Sequence, residues 1–285
     1  MEEEKTSHSE TPARPGWSGI VLRLFFFFLL EYLGLVVFST MLDEMFGRLV
    51  AGALGTFLAA VLANALTVRI YERGRLEDVG MGWGRDAKRH LFIGLAGGIA
   101  AALAVSGALL ALGLARLEPS SEMAFGPGKL LFVIVLLAFG AVGEELLFRG
   151  YGFQTLITAL GPWWMVPLSA VLFSLLHASN PNASPLGLVN TGLWGVVLGY
   201  AYWRAGDLWL PIGLHLGWNW VLPLFGANLS GLTMGLSGYV MKARGMEIWS
   251  GGEYGPEGSV LTSLATVALT AGLWKVRIGK RQTEA

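Results

Sequence analysis

Gly143-Glu144-Glu145-Leu146-Leu147-Phe148-Arg149 stands inside an otherwise apolar run, Lys129–Phe153. Such a run is long enough to cross a bilayer, which takes roughly 20 apolar residues in a helix. Each charge at that depth costs about 2.5–3.5 kcal/mol on insertion scales. Three charges in six residues therefore need partners or a task. The rest of the chain avoids charge: only 14% of its 285 residues are Asp, Glu, Lys or Arg, and 54% are hydrophobic. Soluble domains carry about 25% charged residues. Mean hydropathy is +0.57. The sequence thus reads as an all-α, polytopic bundle of transmembrane helices.

Working outward, eight apolar segments emerge: Trp17–Met41, Arg48–Ile70, Leu91–Ala115, Lys129–Phe153, Trp163–His177, Leu186–Trp203, Leu208–Leu224 and Ser259–Val276. The fifth and seventh are short for a crossing, and Gly161-Pro162 forces a break before the fifth. The chain contains 20 Lys and Arg. Five of them (Arg48, Arg116, Lys129, Lys242, Arg244) fall on one side of this span order, leaving 20 − 5 = 15 on the other. By the positive-inside rule both termini are cytoplasmic. Residues 1–16 are polar with two prolines and read as a disordered tail; the first apolar run is full length and stays as a helix. The expected organisation is tail 1–16, N-terminal helices 17–127, core 128–225, and an outer loop with a last helix over 226–285. The length of the 226–257 loop suggests a part in access to a site.

Cysteine is absent, which excludes disulfides, thiolate metal sites and a cysteine nucleophile. The formal net charge is zero, so no bulk attraction to nucleic acid is expected, and the lipid bilayer is the evident surroundings.

The polar residues within the apolar segments form a short set. Glu144 and Glu145 are neighbours and point about 100° apart on a helix. Glu145 and Arg149 share a face and can pair; Arg149 reaches Glu144 instead if the helix ends near Gly150. A Glu–Arg pair alone is equally well a structural ion pair. His177 follows Phe173 by one turn, and a single histidine there is more commonly an interfacial or hydrogen-bonded residue. His215 and Asn219, four apart, aim the same way, as an interhelical hydrogen bond would also require. Together they form a different picture. A carboxylate beside a histidine activates water, and two further donors stabilise an oxyanion. Those parts suffice to hydrolyse a peptide bond without a covalent nucleophile.

Glu144-Glu145-x-x-x-Arg149, Phe173-x-x-x-His177 and His215-x-x-x-Asn219 resemble the three motifs of the CPBP intramembrane proteases. That family includes the type II CAAX prenyl endopeptidases and bacterial Abi and bacteriocin-processing proteins. The resemblance covers roughly Leu130–Leu224. It implies an intramembrane endopeptidase of a multi-pass membrane protein in a bacterial plasma membrane, acting on a membrane-associated protein or a lipidated, CAAX-type peptide. It implies Glu144 as the base, assisted by His177, with Glu145 and Arg149 supporting the site and His215 and Asn219 holding the oxyanion. The family is described both as metalloproteases and as metal-free glutamate proteases. Zinc held by Glu144, His177 and His215 is chemically conceivable, but the chain has no His-Glu-x-x-His, and the reading leans to metal-independent chemistry. A shared site also requires the helix bearing Glu144 to run on past Gly150 towards Leu160, with Glu144 near mid-membrane.

Two other readings compete. Gly235-Leu236-Ser237-Gly238 resembles a rhomboid serine motif, but no histidine follows it. A non-enzymatic membrane protein, either a transporter or a partner-binding immunity-type factor, also carries intramembrane charges. No repeated halves of the transporter kind are evident.

Overall fold

The computed structural model describes residues 16–121, 126–276 and 278. The expected tail therefore lies, but for Gly16, outside the described residues. The elements follow in the order α1 (Trp17–Phe46), α2 (Arg48–Tyr71), α3 (Arg85–Ala111), β1 (Ala115–Pro119), α4 (Pro127–Arg149), α5 (Tyr151–Leu160), α6 (Pro162–Leu176), α7 (Pro185–Ala205), α8 (Trp209–Leu224), β2 (Tyr239–Ala243), α9 (Glu247–Ser250) and α10 (Val260–Lys275), with short 3-10 turns between. The protein is a mostly helical bundle whose outer faces are apolar. Along α1, for example, Val21, Leu22, Phe25, Tyr32 and Val36 are exposed, a surface that suits lipid rather than water.

Helices stand at all eight expected places, but among the described residues only four stretches are long and apolar enough to cross a membrane: Trp17–Phe46, Arg48–Tyr71, Arg85–Ala111 and Pro127–Leu160. Eight simple crossings is therefore more than the structure supports. Length accounts for three of the other four, α7 having 21 residues. Helices α6, α8 and α10 have 15, 16 and 16 residues. At 1.5 Å per residue they rise only about 22–24 Å, short of the roughly 30 Å hydrocarbon layer. The all-α reading also needs amendment. β1 and β2 form a two-stranded antiparallel ribbon, with Ala115 opposite Ala243 and Pro119 opposite Tyr239. The third apolar segment accordingly leaves the helix at Ala111, and Ala115 opens a strand.

Small residues let the helices meet closely, as packing in membranes demands. The α3–α8 crossing is the tightest. A methyl on Gly94 or Gly98 of α3 would lie 2.4 or 2.1 Å from a carbonyl oxygen of α8 (Leu210 or Leu214). A methyl on Gly213 or Gly217 of α8 would lie 2.4 or 2.5 Å from a carbonyl oxygen of α3 (Leu91 or Leu95). Likewise Gly143 of α4 lies against the Phe57 backbone of α2, and Gly195 of α7 against Ala170 of α6. The residues bearing the polar set thus sit on helices locked together backbone to backbone.

The helix bearing Glu144 does not run on unbroken. It stops at Arg149, Gly150 takes a non-helical conformation, and α5 starts at Tyr151. Asn64 of α2 fills the break: its amide donates to Leu146 O at 3.1 Å, and its oxygen accepts from Tyr151 N at 2.7 Å. This satisfies Tyr151 N, which the interruption would otherwise leave bare in an apolar setting, while Leu146 O also accepts from Gly150 N at 3.1 Å. A side chain at residue 150 would collide with Leu146 O and Asn64, so glycine is required there.

Candidate active site

The end of α4 delivers three charges. Glu145 and Arg149 are completely buried. Arg149 Nη1 donates to Glu145 Oε1 at 3.3 Å, and Nη2 donates to Gly195 O at 3.0 Å. The guanidinium lies 5.0 Å from the Phe173 ring centre and 5.6 Å from that of Phe148, a cation–π arrangement. Glu145 Oε1 also meets His215 Nδ1 at 2.8 Å. Arg149, Glu145 and His215 are thus one hydrogen-bonded chain linking α4 to α8. Of the two pairings open from sequence, Arg149 takes Glu145. Arg149 also belonged to the fifteen cations assigned to the cytoplasmic side; it lies wholly inside the protein, as Arg204 very nearly does.

Glu144 points elsewhere. Its side chain is 31% exposed, and its carboxylate has no hydrogen-bond partner among the described residues. Its nearest charged neighbour is His215, with Nε2 3.8 Å from Glu144 Oε2. Glu144 lines a cavity of about 630 Å³ together with His177, His215 and Asn219. His177, just past α6, uses Nδ1 on Phe173 O at 2.7 Å. Because a carbonyl can only accept, Nδ1 carries the proton, which leaves Nε2 as the second ring nitrogen of the neutral form. The Phe173 ring lies 4.6 Å from that of His177, tilted by 49°, and 6.2 Å from that of His215. Asn219 keeps its amide unbonded among the described residues.

The structure therefore brings Glu144, His177, His215 and Asn219 to one cavity and sets Glu145 and Arg149 behind it. No three His, Cys, Asp or Glu side chains among the described residues come together in a way that would hold a metal ion. Glu144, His177 and His215, the set named for zinc, line the cavity without meeting that condition, while the bond from Nδ1 to Phe173 O leaves His177 Nε2 available as a ligand nitrogen.

Two contributors escaped the sequence reading. Asn64, an intramembrane amide in Ala63-Asn64-Ala65, was visible as an anomaly and not followed. Glu257 had no such mark, since Gly255-Pro256-Glu257-Gly258 reads as an ordinary loop. It returns to the cavity wall, 8% exposed. Burial pushes its carboxyl above the usual carboxylate range, partly offset by donors from Trp218 and Ser230 and by the charge of His177. With Leu229, Ser230, Leu232, Thr233 and Met234, it shows that the 226–257 loop does help to form the cavity.

Against this geometry, comparison with known families is decisive for the core. Residues 126–221 match the Rce1-like family, type II CAAX prenyl endopeptidase Rce1-like. The match bears out the resemblance to CPBP intramembrane proteases. It takes in about a third of the chain and all seven motif residues, while Asn64, Ser230 and Glu257 lie outside it. No curated protein matches the chain. At family level the Rce1-like segment gives a protease in a membrane setting, with a membrane-associated protein as substrate.

Proposed function

We propose that the chain is an intramembrane endopeptidase that cleaves a membrane-associated protein, of the prenylated CAAX type, with water activated by Glu144. The observation that carries this reading is the division between the two adjacent glutamates. Glu145 is buried and spent on Arg149 and His215, whereas Glu144 makes no hydrogen bond among the described residues and faces the cavity, with His215 Nε2 3.8 Å from its Oε2. Residues 128–225 form the catalytic core. The cavity's many apolar side chains, among them Leu137, Leu147, Phe148, Leu176 and Trp194, suit a lipidated or otherwise apolar substrate segment.

In this mechanism Glu144 takes a proton from water as the water oxygen attacks the scissile carbonyl carbon. His177 Nε2 orients the water, because Nδ1 is committed to Phe173 O. The oxyanion accepts hydrogen bonds from Asn219 Nδ2 and His215 Nε2. For that role His215 must carry both ring protons, since Nδ1–H is given to Glu145. Collapse of the intermediate breaks the C–N bond, and the amine leaves with the proton held by Glu144. Glu145 and Arg149 act as positioning residues. The protein lies in a plasma membrane with both termini cytoplasmic; removing Arg149 and Arg204 from the cation count leaves 15 − 2 = 13 against five.

The test is cleavage by purified protein in lipid, parent chain beside Glu144→Gln, on farnesylated CAAX peptides and their unmodified forms. Cleavage by the parent alone, with equal expression and folding, is expected. Repeating it with a chelator decides whether a metal takes part. A well-folded parent chain that cleaves neither peptide would favour the non-enzymatic reading, a transporter or partner-binding factor.

A further inference from the structure

The cavity wall contributed by the 226–257 loop is held in a way that plain covering of a hole does not require. Leu229 and Leu232 exchange both backbone hydrogen bonds, at 2.9 and 2.8 Å. The two residues between them, Ser230 (φ 49°) and Gly231 (φ 82°), both lie in the left-handed region, the pattern of a type I′ hairpin turn. Serine is an uncommon choice for the first of these positions. Strain of that kind persists only where surroundings over-determine it, and it gathers at ligand clamps and active sites.

The surroundings here are specific. Glu257 Oε2 accepts from both the backbone N–H and, at 3.0 Å, the hydroxyl of Ser230. Glu257 Oε1 accepts from Trp218 Nε1 at 3.0 Å. Asn180 Nδ2 donates to Ser230 O at 3.2 Å, and Gly231 N donates to Tyr254 O at 3.0 Å. A side chain on Gly231 would strike Pro181 O. Glu257 thus ties the turn to α8 at the residue preceding Asn219, and Asn180 ties it to the segment three residues beyond His177. A buried carboxylate is a costly way to brace a loop unless its charge is met by several donors; here three donors meet it.

We propose that Glu257 is a positioning residue that holds the Leu229–Leu232 turn as a fixed wall of the cavity and thereby sets how tightly a substrate binds. The role in binding rests on the protease reading above; the mechanical part does not.

Both parts can be measured. The chain has no cysteine, so nitroxides at Trp164→Cys and Leu232→Cys report the separation of the turn from the far end of α6 without background; both positions are exposed. A narrow distance distribution is expected in the otherwise unchanged chain and a broadened one in Glu257→Gln, whose amide faces the Ser230 donors with a donor of its own. Ser230→Ala, which removes one bond of three, should broaden it less. In the kinetic arm, with a farnesylated CAAX peptide, Glu257→Gln should raise KM about tenfold or more with kcat little changed, as loss of a buried charged hydrogen bond used for binding implies. An unchanged distribution in Glu257→Gln would overturn the proposal, whatever the peptide does. A broadened turn with kcat reduced and KM unchanged would overturn its link to substrate binding. If the parent chain cleaves nothing, the protease reading fails, while the distance measurement still decides whether Glu257 holds the turn.

Discussion

Substituting Gly217 by alanine tests whether the α3–α8 crossing sets the geometry of the site. A methyl at residue 217 would sit 2.5 Å from Leu95 O, 2.9 Å from Ile99 N and 3.2 Å from Gly98 Cα. All three are backbone atoms, so no side chain can swing aside. Non-bonded heavy atoms settle at about 3.5 Å, so α8 must move off α3 by roughly 1 Å. His215 and Asn219 stand two residues either side of Gly217 and travel with it. The His215–Glu145 hydrogen bond, now 2.8 Å, would stretch beyond useful range. A misplacement of 1 Å costs about 100-fold in rate, and overpacking of this kind costs about 1–3 kcal/mol of stability. The assay is kcat on the peptide that the parent chain cleaves, beside thermal unfolding in the same detergent. Gly107→Ala is the control: it lies on α3 with open space around it, so alanine there should gain about 0.5–1 kcal/mol from helix propensity. If Gly217→Ala cleaves and melts like the parent chain, the close crossing is not what places the site.

Other consequences follow from the buried network. Glu145→Gln or Arg149→Met alone leaves one charge without its partner in a fully buried setting and should cost about 3–5 kcal/mol; the double variant should recover much of the melting temperature but not cleavage. Asn64→Ala strips Tyr151 N of its acceptor at the α4–α5 break and should cost about 1–3 kcal/mol, read by thermal unfolding. The raised carboxyl of Glu257 predicts a binding effect of pH. Ionised, it accepts from all three donors; protonated, one oxygen becomes a donor and the turn loosens. Because the value is raised, this loss begins at milder acidity than for an ordinary carboxylate, so KM should climb as pH falls below neutral. His177 and Tyr254 also bear on Glu257 electrostatically, so the informative comparison is Glu257→Gln, in which that climb should be absent.

The helices and the seven motif residues were legible because membranes punish exceptions. An uninterrupted apolar run with Glu, Glu and Arg inside it admits few explanations, and i, i+4 spacing settles which pairs share a face. Three things were not legible. The pairing of Arg149 was open, since the helix end that decides it depends on Asn64, 85 residues upstream. The crossing number was not settled, because hydropathy counts apolar segments and does not measure whether a 15-residue helix reaches across. Glu257 was invisible, because a loop carboxylate becomes special only when Trp218 and Ser230 close around it.

The doubled glutamate itself has a physical account. Adjacent helix residues diverge by about 100°, so the pair cannot serve one point. In α4 that divergence divides the work: one carboxylate turns into the bundle, where Arg149, four residues on, and His215 of α8 meet it, and the next turns into the cavity. The interior member fixes α4 against α8 through charge-assisted bonds that an apolar side chain could not make. The exterior member inherits that fixed position while keeping its own oxygens free. A single glutamate would have to choose between being held and being available, and spacing the two by four would stack both on one face. Exchanging Glu144 for glutamine should therefore leave the Glu145–Arg149–His215 chain intact and abolish cleavage. Retained cleavage in that exchange would mean that the base lies elsewhere in the cavity.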